Sequence, residues 1–291
     1  MADSKVVSII NLKGGVGKTT LTVGLAEFLV VEHNKKVLVI DTDPQTNATI
    51  ALIGEGRWKE RNNQGQTLYQ LFKDHLDDTC VFDLGQSIVT KTSNLLGGLD
   101  NLHLLPSSLD FIGIQDYLIN IGHTSYIKPI DVLKEALEER LNDYDVVLID
   151  CPPNLGLVTQ NALNISQYFL IPVVPDFMST YGVPQILDVV SNFSRKTKHM
   201  VMPLGIVISM YRTESNRHGD TIAKLRQKTL ENPYFPRLFN SFIPLGIKIS
   251  DMTDYEASQI NTLRQKYGWS GSNSFEAFAN LAEEFISYVK I

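Results

Sequence analysis

Apolar residues in this chain gather into short, nearly unbroken runs separated by longer stretches of helical spacing. Val6 to Ile10, Val37 to Ile40, Leu102 to Leu105, Val146 to Ile149, Tyr168 to Val174, Leu204 to Ile208 and Leu238 to Ile243 each have strand length. Because successive positions are apolar instead of alternating, both faces of each strand need cover. Seven such runs predict a doubly wound α/β fold, a mostly parallel sheet with helices on both faces. Helices are expected over Leu21 to Val31 and over Phe275 to Val289, the latter with an apolar stripe at Phe278, Leu281, Ala282, Phe285, Ile286 and Val289. Gly54 to Gly65, with Arg57, Trp58, Lys59 and Arg61, reads as a polar loop, and Trp269 to Ser274 as a plain connection. No repeat, low-complexity tract or Pro/Ser-rich linker divides the chain, so residues 1–291 are expected to form one domain.

The first apolar run is followed by Lys13-Gly14-Gly15-Val16-Gly17-Lys18-Thr19-Thr20, and a helical stretch follows that. A strand that hands over to a helix through a glycine-rich loop brings backbone N–H groups around phosphate oxygens. Lys18 adds a compact positive charge there and Thr19 a hydroxyl for Mg²⁺. The chemistry is that of a nucleoside triphosphate site. The loop is a variant of G-x-x-x-x-G-K-[ST]: Leu12 stands at the first glycine position and an extra lysine, Lys13, follows it.

Such a site also needs carboxylates at the ends of neighbouring strands, to hold a hydrated metal and to orient the attacking water. Two segments supply them. One strand ends in Asp41-Thr42-Asp43-Pro44-Gln45, and another, Val146 to Ile149, ends in Asp150-Cys151-Pro152-Pro153 in the form of a Walker B strand. An aspartate after a strand is commonly a turn residue. The phosphate loop is what gives these aspartates a function.

Together these segments resemble the ParA/MinD family of deviant Walker A ATPases, a class of P-loop NTPase, and most closely its ParA/Soj-type partition members. Lys13 to Thr20 resembles the deviant Walker A loop, Asp41-Thr42-Asp43-Pro44-Gln45-Thr46-Asn47-Ala48-Thr49 the switch I segment, and Asp150-Cys151-Pro152-Pro153-Asn154-Leu155-Gly156 Walker B and switch II. Leu105-Pro106-Ser107-Ser108-Leu109-Asp110 and Ile171-Pro172-Val173 extend the resemblance. The family's D-P-Q-G-N-A-T has glycine where this chain has Thr46. The resemblance implies ATP and Mg²⁺ as cofactors, slow hydrolysis, and an ATP sandwich dimer in which Lys13 reaches the partner's nucleotide. It implies that Gly14, Gly15, Val16 and Gly17 cradle phosphates, that Lys18 contacts the β and γ phosphates, and that Thr20 reaches the α phosphate. Thr19, with Asp41 and Asp150, would support the hydrated metal and Asp43 would orient the water, while Met210 and Pro244 mark the expected adenine loop.

The chain of 291 residues carries a net charge of −6, 43% hydrophobic and 20% charged residues, and a pI near 5.5, which fits a folded protein and argues against binding nucleic acid with its whole surface. The charge is uneven. Ser191 to Lys248 holds ten basic and three acidic residues, a net +7 that leaves −13 for the rest. Arg195, Lys196, Lys198, Arg212, Arg217, Lys224, Arg226, Lys228 and Lys248 are therefore candidates for contacts to nonspecific double-stranded DNA, whose phosphates ask only for lysine and arginine. With twelve residues ahead of Lys13, no helix-turn-helix is expected there. A ParB-like adaptor is the partner the resemblance implies, for a cargo such as a plasmid or chromosome. A MinD-like membrane-cycling ATPase is the alternative, but Glu276, Glu283 and Glu284 against one Lys290 make the last helix unsuited to anionic lipid. No run is long enough to cross a bilayer, so a cytoplasmic, nucleoid-associated protein is expected and no membrane partner. Cys80 and Cys151 are too few for a disulfide framework or a cluster carrier.

Overall fold

The computed structural model describes residues 4–95, 97–124, 126–212, 214–245, 260–268 and 274–291. Six of the seven apolar runs are strands: β1 (Lys5–Ile9), β2 (Val37–Asp41), β3 (Leu102–Leu105), β4 (Val146–Asp150), β5 (Tyr168–Val173) and β6 (Met202–Ile208). They form one sheet in the order β3-β2-β4-β1-β5-β6, with every neighbouring pair parallel. Side chains alternate between two cores. Val7, Val39, Leu148 and Leu170 point to one, and Val6, Leu38, Val147 and Ile171 to the other.

Helices α1 (Lys18–Val31), α2 (Asn47–Asn63), α3 (Leu68–Asp77), α4 (Leu84–Ser87), α5 (Ile121–Thr124), α6 (Val132–Leu137), α7 (Leu157–Ile165), α8 (Ser179–Thr197), α9 (Asn216–Glu231), α10 (Leu263–Tyr267) and α11 (Ser274–Val289) surround the sheet, with a 3-10 segment over Leu109–Asn120. The predicted stripe of α11 packs on the α1 side of the sheet, with Phe278, Leu281, Ala282 and Phe285 fully enclosed, Val289 buried and Ile286 half-buried. Gly24 of α1 makes this approach possible, because a Cβ there would stand 2.3 Å from the Phe278 ring.

Two expectations need correction. Leu238 to Ile243 is not a seventh strand; it meets β6 and its continuation at two isolated parallel bridges, Ile206 with Leu238 and Tyr211 with Pro244, and Ile243 N–H donates to the Ile208 carbonyl at 2.8 Å. Between them the backbone N–H groups of Asn240 and Ser241 donate to the Glu284 carboxylate of α11, at 2.9 and 3.2 Å, instead of to a strand. The second correction concerns residues 55–63, which are helical and form the second half of α2 beyond a kink at Gly54 (φ 75°, ψ 162°). Their polarity conceals good helix formers. Lys59 pairs with Glu55 one turn away, and Trp58 Nε1 donates to the Ser107 carbonyl at 3.1 Å.

Candidate active site

In the parallel sheet, Asp41 and Asp150 are register partners at the C-terminal ends of β2 and β4, and Ile9 of β1 is also paired with Asp150. The loop after β1 therefore leaves the sheet beside both carboxylates. Gly15 and Gly17 take left-handed conformations (φ 69° and 79°), which L side chains adopt only under strain. Gly17 precedes α1 without a side-chain cap, so the first N–H groups and the positive end of the helix dipole face the loop. Lys18 is only 7% exposed and has no ion-pair partner among the described residues. A buried ammonium with no direct ion pair, attracted only at longer range by the Asp150 carboxylate, favours an anionic ligand.

Beneath the loop, Thr19 Oγ1 donates to Asp150 Oδ2 at 2.7 Å. Thr22 Oγ1 lies 3.3 Å from Asp150 Oδ1 and 3.0 Å from the Lys18 carbonyl, its single proton shared between them. Asp41 Oδ2 accepts from Thr49 through N–H at 2.8 Å and Oγ1 at 2.7 Å, and that same Thr49 oxygen accepts from Ser107 N–H at 3.0 Å. These bonds link switch I to the segment after β3, and Thr42, whose Oγ1 donates to the Asp150 carbonyl at 2.8 Å, links switch I to Walker B. Asp43 N–H donates to Asp41 Oδ1 at 3.0 Å, and Asp43 Oδ1 accepts from Gln45 N–H at 2.9 Å, which leaves Oδ2 unengaged among the described residues. Thr46 stands in the left-handed region (φ 57°), the conformation that explains the family's glycine at this position.

Burial and the neighbouring Asp150 push the Asp41 carboxyl well above its ordinary range, and burial, partly offset by the Thr19 hydrogen bond, pushes Asp150 to about 7. Two buried carboxylates side by side favour a nearby cation. Among the described residues no group of three or more His, Cys, Asp or Glu side chains could hold a metal ion unaided. The donor set of one hydroxyl and two recessed carboxylates instead fits a hydrated Mg²⁺, which keeps several waters and takes phosphate oxygens as ligands.

Lys13 behaves differently from the rest of its loop. Its N–H is fixed by Asn11 Oδ1 at 2.9 Å, but its half-exposed side chain crosses to Asp176 after β5, with Nζ 2.5 Å from Oδ2. Burial opposes ionisation of Asp176, yet the Lys13 and Ser179 hydrogen bonds hold its carboxyl below the ordinary value. Asp176, Thr22 and Ser209 were not among the residues singled out from sequence, and Thr49 stood there only as the last residue of the switch I segment. For Asp176, a signal was available in its place after the apolar run that ends at Val174. Ser209 Oγ donates to the Val16 carbonyl at 2.7 Å, and a Cβ on Gly17 would meet Met210 Cε at 3.8 Å. Met210 and, through the Tyr211 bridge, Pro244 thus lie on the β6 side of the phosphate loop.

The basic candidates do not share one surface pocket. Arg195 and Lys196 occupy the last turn of α8, which Lys198 caps, while Arg217, Lys224, Arg226 and Lys228 lie along α9. Arg226 sits 5.7 Å from the Phe242 ring centroid and Lys228 6.0 Å from that of Phe235. Arg212 follows the Tyr211 bridge, where its N–H donates to His218 Nδ1 at 3.1 Å, and Lys248 lies outside the described residues.

A family model described as an AAA domain matches residues 4–202. The sporulation initiation inhibitor protein Soj of Bacillus subtilis is 31% identical over 248 residues, covering 85% of this chain and 87% of that protein. The chromosome partitioning protein ParA of Caulobacter vibrioides is 30% identical over 285 residues, covering 97% of this chain and 94% of its own. Among solved structures, a Cyanothece McdA complex with ATP is similar with a TM-score of 0.72 over 100% of this chain and 98% of that one, and at 19% identity it speaks to the fold alone. The variant phosphate loop, the strand-end aspartates and these relatives agree, and the chain belongs to the ParA/MinD family of P-loop ATPases, close to its ParA/Soj members.

Proposed function

We propose that this ParA-type ATPase dimerises around ATP and Mg²⁺, binds nonspecific DNA in that state, and positions a cargo through a ParB-like adaptor that stimulates hydrolysis. ATP and Mg²⁺ are its cofactors, and hydrolysis to ADP and phosphate is its reaction. The α1 N-terminus and Lys18 bind the β and γ phosphates, Thr20 reaches the α phosphate, and Met210 and Pro244 border the adenine. Thr19, Asp41 and Asp150 would hold the hydrated Mg²⁺, which neutralises phosphate charge. Asp43 Oδ2 is the free oxygen that would orient a water toward the γ phosphorus.

The observation that carries this reading is the direction of Lys13. It opens the phosphate loop, yet its ammonium leaves that loop, half exposed, for Asp176. An exposed ion pair of this kind is worth only about 0–1 kcal/mol, so a partner subunit's triphosphate outcompetes it readily. In the dimer, Lys13 supplies charge to the opposite nucleotide. The stripe a membrane-cycling relative would need at α11 is instead spent on the core.

The test is the oligomeric state of wild type and Lys13→Ala in ATP with Mg²⁺. Wild type is expected to dimerise, and Lys13→Ala to remain monomeric while still binding ATP. An unchanged ATP-dependent dimer in the variant removes the trans role of Lys13.

A further inference from the structure

Between α6 and the C-terminal end of α8 lies an open cleft of about 810 Å³. Four lysines line it from two separate walls: Lys128 and Lys134 on one, Lys196 and Lys198 on the other. All four are exposed, and none has an ion-pair partner among the described residues. Asp131 is the acidic side chain of the lining, and its Oδ1 already accepts from Asn164 Nδ2 at 2.8 Å. Basic residues at the end of α8 complement its helix dipole, which accounts for one wall. It does not account for Lys128 and Lys134 opposite, outside the basic stretch from residue 191 to 248. Like charges facing one concavity on a protein of net charge −6 focus an attractive field for an anion.

The Lys128 wall is also built to stay in place. The carbonyls of Pro129 and Ile130 accept from Asn161 and Asn164 of α7 at 2.8 and 3.1 Å, and Leu133 N–H donates to Asn161 Oδ1 at 3.1 Å. That helix starts directly after switch II, and Leu155 of switch II borders the cleft, its carbonyl accepting from Gln160 at 3.1 Å. A nucleotide-dependent shift of switch II would therefore reach one wall.

We infer that this cleft seats the phosphate backbone of duplex DNA, with Lys128 and Lys134 contacting phosphates opposite Lys196 and Lys198. The assignment rests on the DNA-binding reading proposed above and sets Lys128 and Lys134, from outside the basic stretch, against its candidates Lys196 and Lys198. Ammonium groups on flexible stems suit a run of phosphates without reading sequence. Their place beside switch II gives ATP a route to control the grip.

The experiment measures binding of full-length protein to random-sequence duplex with ATP and Mg²⁺ across salt concentrations, comparing wild type, K128E/K134E and R217E/K224E. The ATP-dependent dimer and ATP turnover serve as controls. K128E/K134E is expected to bind at least about tenfold more weakly, with a log affinity against log salt slope shallower by about 2 or more, and with dimer and turnover intact. If K128E/K134E binds as wild type does, the cleft is not the DNA seat, and loss in R217E/K224E alone would place it on α9. If wild type binds no duplex in any nucleotide state, the DNA reading itself falls. K128Q/K134Q, with the same expected direction, replaces the charge reversal if that disturbs the dimer.

Discussion

We propose that Asp43 orients the attacking water, while Asp176 is the ion-pair partner of Lys13. Asp43 is held on both sides, by Asp41 and by Gln45, with one oxygen left over. Asp43→Ala is expected to lower ATP turnover by about 10²-fold, the scale of a lost positioned base, and to leave a long-lived ATP dimer. Turnover assays with size-exclusion chromatography check this, and wild-type turnover would contradict the role. The two thiols offer a separate residue-level check. Burial pushes the Cys151 thiol up to about 12, so at pH 8 it stays protonated and enclosed, whereas Cys80 is exposed. Alkylation of the native protein at pH 8 should modify Cys80 alone, with Cys151 reacting only after denaturation; rapid native modification of both would show the switch II strand end to be open. The phosphate loop and the three aspartates were legible in the sequence because each lies within one local strand-to-loop pattern. The contacts of Thr22 and of Asp176 were not, because they depend on strand order. Asp176 meets Lys13 across 163 positions of sequence, and Thr22 meets Asp150 across 128.

At the scale of elements, the C-terminal part of the chain is fastened to α1 by a wholly buried polar cluster. Glu27 of α1 accepts from Lys266 Nζ at 2.8 Å, Tyr267 OH at 2.7 Å and Ser93 Oγ at 2.5 Å, with the Lys266 and Glu27 side chains both at 0% exposure. Aromatic rings close over it: Phe28 lies 5.0 Å from Tyr267, and Tyr267 5.0 Å from Phe278. Removing one partner of such a pair strands a charge, so Lys266→Met should destabilise the protein by about 3–5 kcal/mol. Chemical denaturation measures it, and a loss below about 1 kcal/mol would mean that Glu27 protonates or finds water. Nothing local in the sequence announces this cluster, since Glu27 and Lys266 read as ordinary surface charges. The apolar stripe of α11 was legible from its 3.6-residue period. The second half of α2 was not, because a helix of mostly polar residues anchored through Trp58 carries no stripe. The run at Leu238 reads as a strand, but the Glu284 carboxylate, 44 positions beyond Asn240, takes the Asn240 and Ser241 N–H groups from its middle.

For the whole molecule, charge and topology point the same way. The phosphate loop, both switch segments and Lys13 share the C-terminal edge of the sheet, where Asp176, after β5, meets Lys13, after the neighbouring β1. The uneven charge of the sequence predicted a basic face, but the fold distributes it, setting Lys196 and Lys198 against lysines from an unrelated stretch. ATP binding, dimerisation and DNA binding are one sequence of events in this account, with electrostatics as the final step. The most direct test is binding of the purified wild-type protein to random-sequence duplex DNA without nucleotide, with ADP, and with ATP plus Mg²⁺, each at low and high salt. The account predicts binding with ATP and Mg²⁺ alone, weakening steeply as salt rises. Equal binding in all three nucleotide states, or none in any, would contradict it.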